Sequence, residues 1–538
     1  MARRDDVVRG QSANRFSSTG VVMSSISRRE VMEAAAATAA SCLLPQASSA
    51  QTRRRSLVVA LPNRPGRLDP VLGNDTPSLR VLSNVFDSLL RFDYAHDSAL
   101  KPALASSWVR RDGRTVDFEL RPNVVFHDGS VMTADDVLFS FDQKRTSGPN
   151  GDGQTVAAQY QRTIEAIEKL GPSTIRIRTR SPDPAIEKKI AAWSCQIVSQ
   201  KAFERAGSWE NWLKAPIGAG PYRIADHQRD TSVTLVAHDA YWGGRPPFER
   251  IVFRVAPEAA SRQNGLLAGD YDLVSDVLPD QFSAIASARN LVVVGGPTVN
   301  VRVLVIDTTG PWLSDRRFRR ALSLAIDRRL IVETLWAGRV DIPENMQYRD
   351  FGALYDTTAK APGFDPAEAR RLVKELGYSG EPIAYRLMNN WYPNQVATAQ
   401  ILIDMWRDVG INVRIKSVEN FSQAQQKPIN AIWDSSILLS WPDPTALAWR
   451  LMGPGGGWNK LGVWKSDDYE TAGRLLEQSV DLEERKRANK RMLDIFEAET
   501  PLVILHNNGA FYGKKADLDW TPYRSPIMDF GPFNQTRS

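Results

Sequence analysis

Two loops concentrate the residue types that recognise small molecules. Asn389-Asn390-Trp391-Tyr392-Pro393 sets paired amides beside paired aromatics. Ser440-Trp441-Pro442-Asp443-Pro444 holds a hydroxyl, an indole and a carboxylate around two prolines. Amides next to aromatics suit hydrogen bonding combined with stacking. Two prolines stiffen a loop, so less entropy is lost when it binds. Trp391 reads equally well as a plug for the body that carries its loop. Asn300 and Arg302 add a polar pair, and Arg302 suits either a bidentate bond to a ligand carboxylate or a surface salt bridge. Asn507-Asn508 and Phe511-Tyr512 form a weaker set near the C-terminus.

Residues arranged for catalysis are absent from the pattern. The five histidines are His96, His127, His227, His238 and His506. None pairs at i, i+4 and there is no HExxH, so no hydrolytic zinc site is indicated. No P-loop and no G-x-S-x-G elbow occurs. The acid pairs Asp135-Asp136 and Asp467-Asp468 stand at helix starts, where dipole stabilisation explains them. The sequence therefore points to a binder with no catalytic residues, no metal site and no cofactor.

A chain of 538 residues exceeds one compact core, so two or three domains must position these loops. Hydrophobic content of 42% and charged content of 24% are ordinary for a globular protein. The 68 basic and 62 acidic residues leave a formal net charge of +6, too balanced to suggest a nucleic-acid partner. No stretch approaches the roughly 18 apolar residues of a membrane span. The fifteen tryptophans fit a large core or an aromatic-lined cleft. Cys42 and Cys195 make no disulfide framework.

The N-terminus reads as a signal peptide over residues 1–50. Ser27-Arg28-Arg29 precedes an Ala-rich stretch over 34–44, Pro45 breaks it, and Ser48-Ser49-Ala50 offers small residues for cleavage. The paired arginines resemble the twin-arginine export motif, which carries folded proteins. Glu33 stands where that motif often has Lys. Met23 is an alternative start. Cys42 follows Ala-Ala-Ser, a poor match to a lipoprotein box.

Strands and helices alternate along the rest. Residues 56–61 and 115–120 read as strands, and 78–90 as a helix with Leu79, Leu82, Val85, Phe86 and Leu89 on one face. Val124 to Phe126 reads as a strand, Asp128-Gly129 as a turn, and Thr133 as a helix cap with Asp136 as its box partner. Residues 164–170 read as a helix and 174–180 as a strand. Gly218-Ala219-Gly220-Pro221-Tyr222 is a turn into a strand, and Arg223 excludes a dinucleotide loop. Ser314 and Asp327 start two helices, the second ending near Gly338. Asp365-Pro366 with Glu368 and Gly377 brackets another. A helix over 395–409 and a strand over 411–418 follow. The pattern is α/β.

The stretch from Asn123 to Ser140, NVVFHDGSVMTADDVLFS, resembles a signature of the bacterial periplasmic solute-binding proteins of the oligopeptide, dipeptide and nickel type, extracellular solute-binding protein family 5. GAGPY at 218–222 and DAYWGGRPP at 239–247 resemble segments of the same family, and the units fall in its order over roughly residues 56–535. The resemblance implies a two-lobed periplasmic binding protein fold of type II, with an additional α/β domain inserted in lobe I. Lobe I would comprise 51–87, 190–298 and 500–538, the additional domain 88–189, and lobe II 299–499. The chain would cross between lobes near Thr298-Val299-Asn300 and near Thr500-Pro501.

The resemblance also implies a job. The protein would be the substrate-binding subunit of an ABC transporter, a periplasmic monomer that captures a peptide or peptide-like solute and docks on inner-membrane permease subunits. A periplasmic ligand sensor or chaperone-like binder is the alternative, as are opine, sugar or metal-chelate ligands. Asp75-Thr76 faces the cleft in the family. Peptide-binding members hold the peptide ammonium with an aspartate upstream of an acid-Pro pair. Matching that pair to Asp443-Pro444 places Ser440 at the aspartate's position. An ammonium would then need Asp75, Asp434 or Asp443, because an unpaired buried charge is very costly. Otherwise the ligand has no free ammonium, and that is the expectation.

Overall fold

A computed structural model of the protein describes residues 55–538 except 74, 97, 154, 389–390, 428–430 and 535–538. The leader, with Arg28-Arg29, Met23 and Cys42, lies outside the described residues, as do Asn389 and Asn390.

Among the described residues the strands run in chain order as β1 (Arg55–Leu61), β2 (Leu90–Asp93), β3 (Ala99–Pro102), β4 (Ala105–Arg110), β5 (Thr115–Leu120), β6 (Ile164–Lys169) and β7 (Thr174–Thr179). They continue as β8 (Tyr222–Gln228), β9 (Ser232–Ala237), β10 (Phe248–Val255), β11 (Leu273–Ser275), β12 (Leu291–Ile306), β13 (Ile383–Met388), β14 (Val413–Val418), β15 (Ala431–Leu438) and β16 (Leu502–Lys515). Ten of them form one mixed sheet in the order β14-β13-β15-β12-β16-β11-β1-β10-β9-β8. The order β4-β5-β7-β6 makes a separate antiparallel sheet, and β2 pairs with β3.

The long strands β12 and β16 join the two ends of the large sheet. Leu291 to Pro297 pair with Lys515 to Gly509, the register then shifts, and Val301 to Val305 pair with Asn507 to Leu502. The break lies at 298–300 on β12 and 507–509 on β16. Thr500 caps the helix Leu482–Glu499, and β16 pairs across to Asn507 before the break comes.

Each part has its own core. Leu57, Val59, Phe253 and Met528 belong to one cluster, Leu304, Phe318, Trp406 and Leu505 to a second, and Val116, Phe118, Ile175 and Ile177 to a third under the small sheet. Burying a side chain of this size contributes about 1.5–3 kcal/mol. A fourth cluster brings Tyr160 and Cys195 together with Trp441, Trp449 and Phe496. It unites residues from 88–195 with residues from 299–504.

Capping explains most helix starts. Asp365 accepts the Glu368 N–H at 2.9 Å with Pro366 first in the helix, and Asp327 accepts the Leu330 N–H at 3.0 Å. Thr133 and Asp136 form a capping box ahead of Ala134–Phe141. The expected start at Ser314 falls one residue short, because Asp315 is the cap. Glycines 218 and 220 are required by proximity: a Cβ on Gly218 would lie 2.2 Å from the Val85 carbonyl oxygen, and one on Gly220 2.7 Å from it.

Three local expectations need correction. Residues 164–169 form strand β6 and no helix, because the turn over 170–173 folds β7 back on them in an antiparallel hairpin. Val124 to Phe126 make only a single bridge, Val125 to Val131, around Gly129. The helix expected over 78–90 stops at Leu82, since Asn84 turns its amide to the Arg80 and Met528 carbonyls.

Candidate functional site

Ser440 lies at the end of β15, where the strand gives way to the proline-stiffened loop. It is buried, and its Oγ meets the Tyr160 hydroxyl at 2.5 Å. Tyr160 comes from the helix Val156–Tyr160 in the small-sheet region. The Tyr160 ring also stands edge-on to Trp441 at 5.1 Å between centroids and tilts against Trp193 at 5.6 Å. Burial raises the Tyr160 hydroxyl above its ordinary range, so it stays protonated and can donate.

The rest of the loop is held from behind. Asp443 accepts from the Thr445 N–H at 3.0 Å and its hydroxyl at 2.8 Å, and Arg485 Nη2 reaches both of its oxygens at 3.0 and 2.8 Å. Burial alone would raise the Asp443 carboxyl; Arg485 and Lys188 outweigh it and hold the group below its ordinary value. Trp441 donates its indole N–H to Thr445. Lys188 crosses from the small-sheet side to the Pro442 carbonyl at 2.7 Å, and burial lowers its pKa. Arg450 lies over the Tyr160 ring at 5.5 Å.

A second group lies on β12 and β15. Arg302 is buried, donates to Asp434 Oδ1 at 2.8 Å and stacks on Tyr392 at 3.9 Å. Asp434 Oδ2 accepts from Gln395 at 3.0 Å. The Gln395 carbonyl oxygen in turn accepts the backbone N–H groups of Trp391 and Tyr392, which fixes the 391–393 loop to the start of the helix Gln395–Asp408. Tyr392 donates to Ser436 at 3.2 Å. Trp391 is 51% exposed and edge-on to Phe421, so it does not plug a core. Asn300 Oδ1 is a buried atom without a partner at the β12 register break, and Asn508 Oδ1 on β16 is another.

Asp75 and Thr76 are placed differently. Asp75 caps the helix Thr76–Leu82, accepting from the Ser78 N–H at 2.9 Å, its hydroxyl at 2.7 Å and the Gly66 N–H at 3.3 Å. Asn507 accepts from the Tyr348 hydroxyl at 2.8 Å. Phe511 packs with Phe282 and Trp336, and Tyr512 lies against Arg80. The sequence reading missed Tyr160, Lys188, Arg450 and Gln395. No motif marks them; each matters through a partner more than 35 residues away or through a backbone it braces.

Near Trp193 opens a cavity of about 120 Å³, lined among others by Asp87, Arg91, Tyr94, Tyr523 and Asp529. No lining residue comes from 299–499. Burial raises Asp87 to about 7 even though the Trp242 indole donates to it, and burial raises Asp529 as well. Among the described residues no group of three or more His, Cys, Asp or Glu is placed to hold a metal ion.

Comparison with known proteins adds to this geometry. The model of the bacterial extracellular solute-binding proteins, family 5 middle, matches residues 99–459. The di/tripeptide-binding protein 3 of Pseudomonas aeruginosa is 25% identical over 513 residues, covering 89% of this chain and 93% of its own. The heme-binding protein A of Haemophilus influenzae is 25% identical over 504 residues, covering 86% and 90%. Among solved structures, the ABC transporter-associated periplasmic binding protein DppA from Helicobacter pylori, in complex with the peptide STSA, superposes with a TM-score of 0.79 at 21% identity, covering 88% and 96%.

Proposed function

The chain belongs to family 5 of the bacterial extracellular solute-binding proteins, and from that premise we propose that it captures a peptide or peptide-like solute for an ABC importer. The observation that carries the reading is the meeting of Tyr160 and Ser440 across the cleft, beside the Arg302–Tyr392 stack. Two loops of one lobe face a helix of the additional domain, and Asn300 Oδ1 is buried and unpartnered at the β12 register break.

In this reading lobe I comprises 55–87, 190–298 and the C-terminal strand beyond its register break, the additional domain 88–189, and lobe II 299–499 with the first half of β16. Only β12 and β16 carry the chain across, so the lobes hinge at 298–300 and 507–509. A solute that touches both sides stabilises the closed form by its differential affinity for it. Asn300, Arg302, Tyr392, Ser440 and Trp441 supply lobe II contacts, and Trp391 lies at the rim. Arg302 acts chiefly through its ring partner, since Asp434 already neutralises it. Asp443 positions the loop, and Asp75 positions the helix behind the first strand. The mature protein works in the periplasm after loss of its leader, and the permease and ATPase are separate chains.

Native mass spectrometry of freshly purified protein tests this, together with small-angle scattering on addition of peptide pools. Retained solute, and a smaller radius of gyration with a pool, are expected. An empty protein whose scattering no pool changes would sink the reading.

A further inference from the structure

Resting on that reading of the cleft, we infer that the solute presents an acidic or uncharged group, and no ammonium, to Ser440 and Tyr160. Each carboxylate that could have replaced the family's aspartate has other work. Asp75 caps a helix with both oxygens. Asp434 is shared between Arg302 and Gln395. Asp443 is gripped by Arg485 and Thr445. Freeing any of them would leave a buried arginine or a loop unpaired, at a cost a bound ammonium does not offset.

The charges that remain near the pair are positive. Arg450 covers the Tyr160 ring and bonds the Ala446 carbonyl, and Lys188, which bonds the Pro442 carbonyl, adds its charge to that of Arg485 beside Asp443. Lys189 is neutralised by Asp183 at 2.6 Å, and Glu187 by Arg110. An ammonium would therefore meet like charge in a water-poor place. A carboxylate or carbonyl oxygen would instead accept the one hydroxyl proton that the Tyr160–Ser440 bond leaves free. Asp87 and Asp529 do not alter this balance, because their cavity has no lobe II lining and so lies outside the interlobe site.

The test uses a casein hydrolysate in three portions: untreated, N-acetylated and N-succinylated. Each is passed over the full-length mature protein, and the retained peptides are released and weighed by mass spectrometry. Wild type is expected to enrich acylated peptides at least about tenfold over free-amine ones, a difference of ~1.4 kcal/mol, with the succinylated pool ahead. Ser440→Asp is expected to reverse the order. If Ser440→Asp does not fold, Arg450→Glu, at a half-buried position, inverts the local charge and carries the same expectation. Equal or greater retention of free-amine peptides by wild type overturns the inference and leaves the capture reading standing. Retention from none of the three pools overturns the peptide-like reading itself.

Discussion

Arg302 and Asp434 bury a full ion pair, with side chains 2% and 1% exposed. Removing one partner of such a pair strands the other charge, which costs about 3–5 kcal/mol, whereas replacing both by apolar groups is often nearly neutral. Asp434→Ala is therefore expected to lower the urea midpoint strongly, and the double change Arg302→Met with Asp434→Leu far less. Equal losses in both variants would show that the pair is not a unit. Titration gives a second expectation. Asp87 is lifted from 3.8 to about 7, so the fold holds a proton that the unfolded chain releases at lower pH. Its contribution is full below 3.8 and is lost as pH rises through about 7. His127 and His506 run the other way: burial lowers them from 6.5 to about 3 and about 4, so their contribution is full above 6.5 and is lost as pH falls through those values. Asp87→Asn, which keeps an acceptor for Trp242, is expected to melt a few degrees above wild type at about pH 8 and level with it at about pH 4. A constant difference across that range would contradict the assignment. At this scale the sequence singled out Arg302, Tyr392 and Ser440 by residue type alone. Tyr160 was not, because a lone tyrosine after a polar loop has no local signature, and only folding brings it to Ser440.

The short helix Ala448–Met452 follows closely on the loop at 440–444. Trp449 of that helix fills the space where Gly473 has no side chain: a Cβ there would lie 2.1 Å from two Trp449 ring atoms. Gly473→Ala is expected to cost about 1–3 kcal/mol as overpacking and to weaken solute binding by displacing the ring. Gly457→Ala, where a Cβ meets nothing within 4 Å, serves as the control and should leave both nearly unchanged. Binding isotherms and melting curves on the two variants decide it; identical behaviour would separate the helix from the loop. Elements were legible where capping chemistry or alternation was strong, as at Asp365, Asp327 and residues 115–120. They were misread where a short run served two periods. Ile164, Ile167 and their charged neighbours satisfy a helical face, yet the hairpin turn before Thr174 decides for a strand.

At the scale of the whole molecule, the order of units announced two lobes and an inserted domain, and the second crossing expected near Thr500-Pro501 lies just ahead of one long strand. Leu502 to Lys515 is one strand of fourteen residues with no Gly-Pro punctuation before Gly509, so its register break is set by what β12 offers on each side. Closure then depends on contacts that neither side makes alone. Arg162 reaches Glu477 at 2.7 Å and the Pro454 carbonyl at 3.1 Å, which the proposed division sets on opposite sides of the cleft. If the lobes hinge as proposed, these bonds belong to the closed state and hardly to the stability of either part. With the pair part-exposed, its contribution is at most about 1 kcal/mol. Glu477→Ala should accordingly raise the dissociation rate of a retained solute by about two- to fivefold and leave the association rate and the melting temperature of the solute-free protein unchanged. Stopped-flow tryptophan fluorescence separates the two rates. If association slowed instead, the contact would form before the solute enters and the hinge would have to open by another path. If neither rate moved, Arg162 would only decorate the rim, and closure would rest on Lys188 and the Tyr160–Ser440 bond.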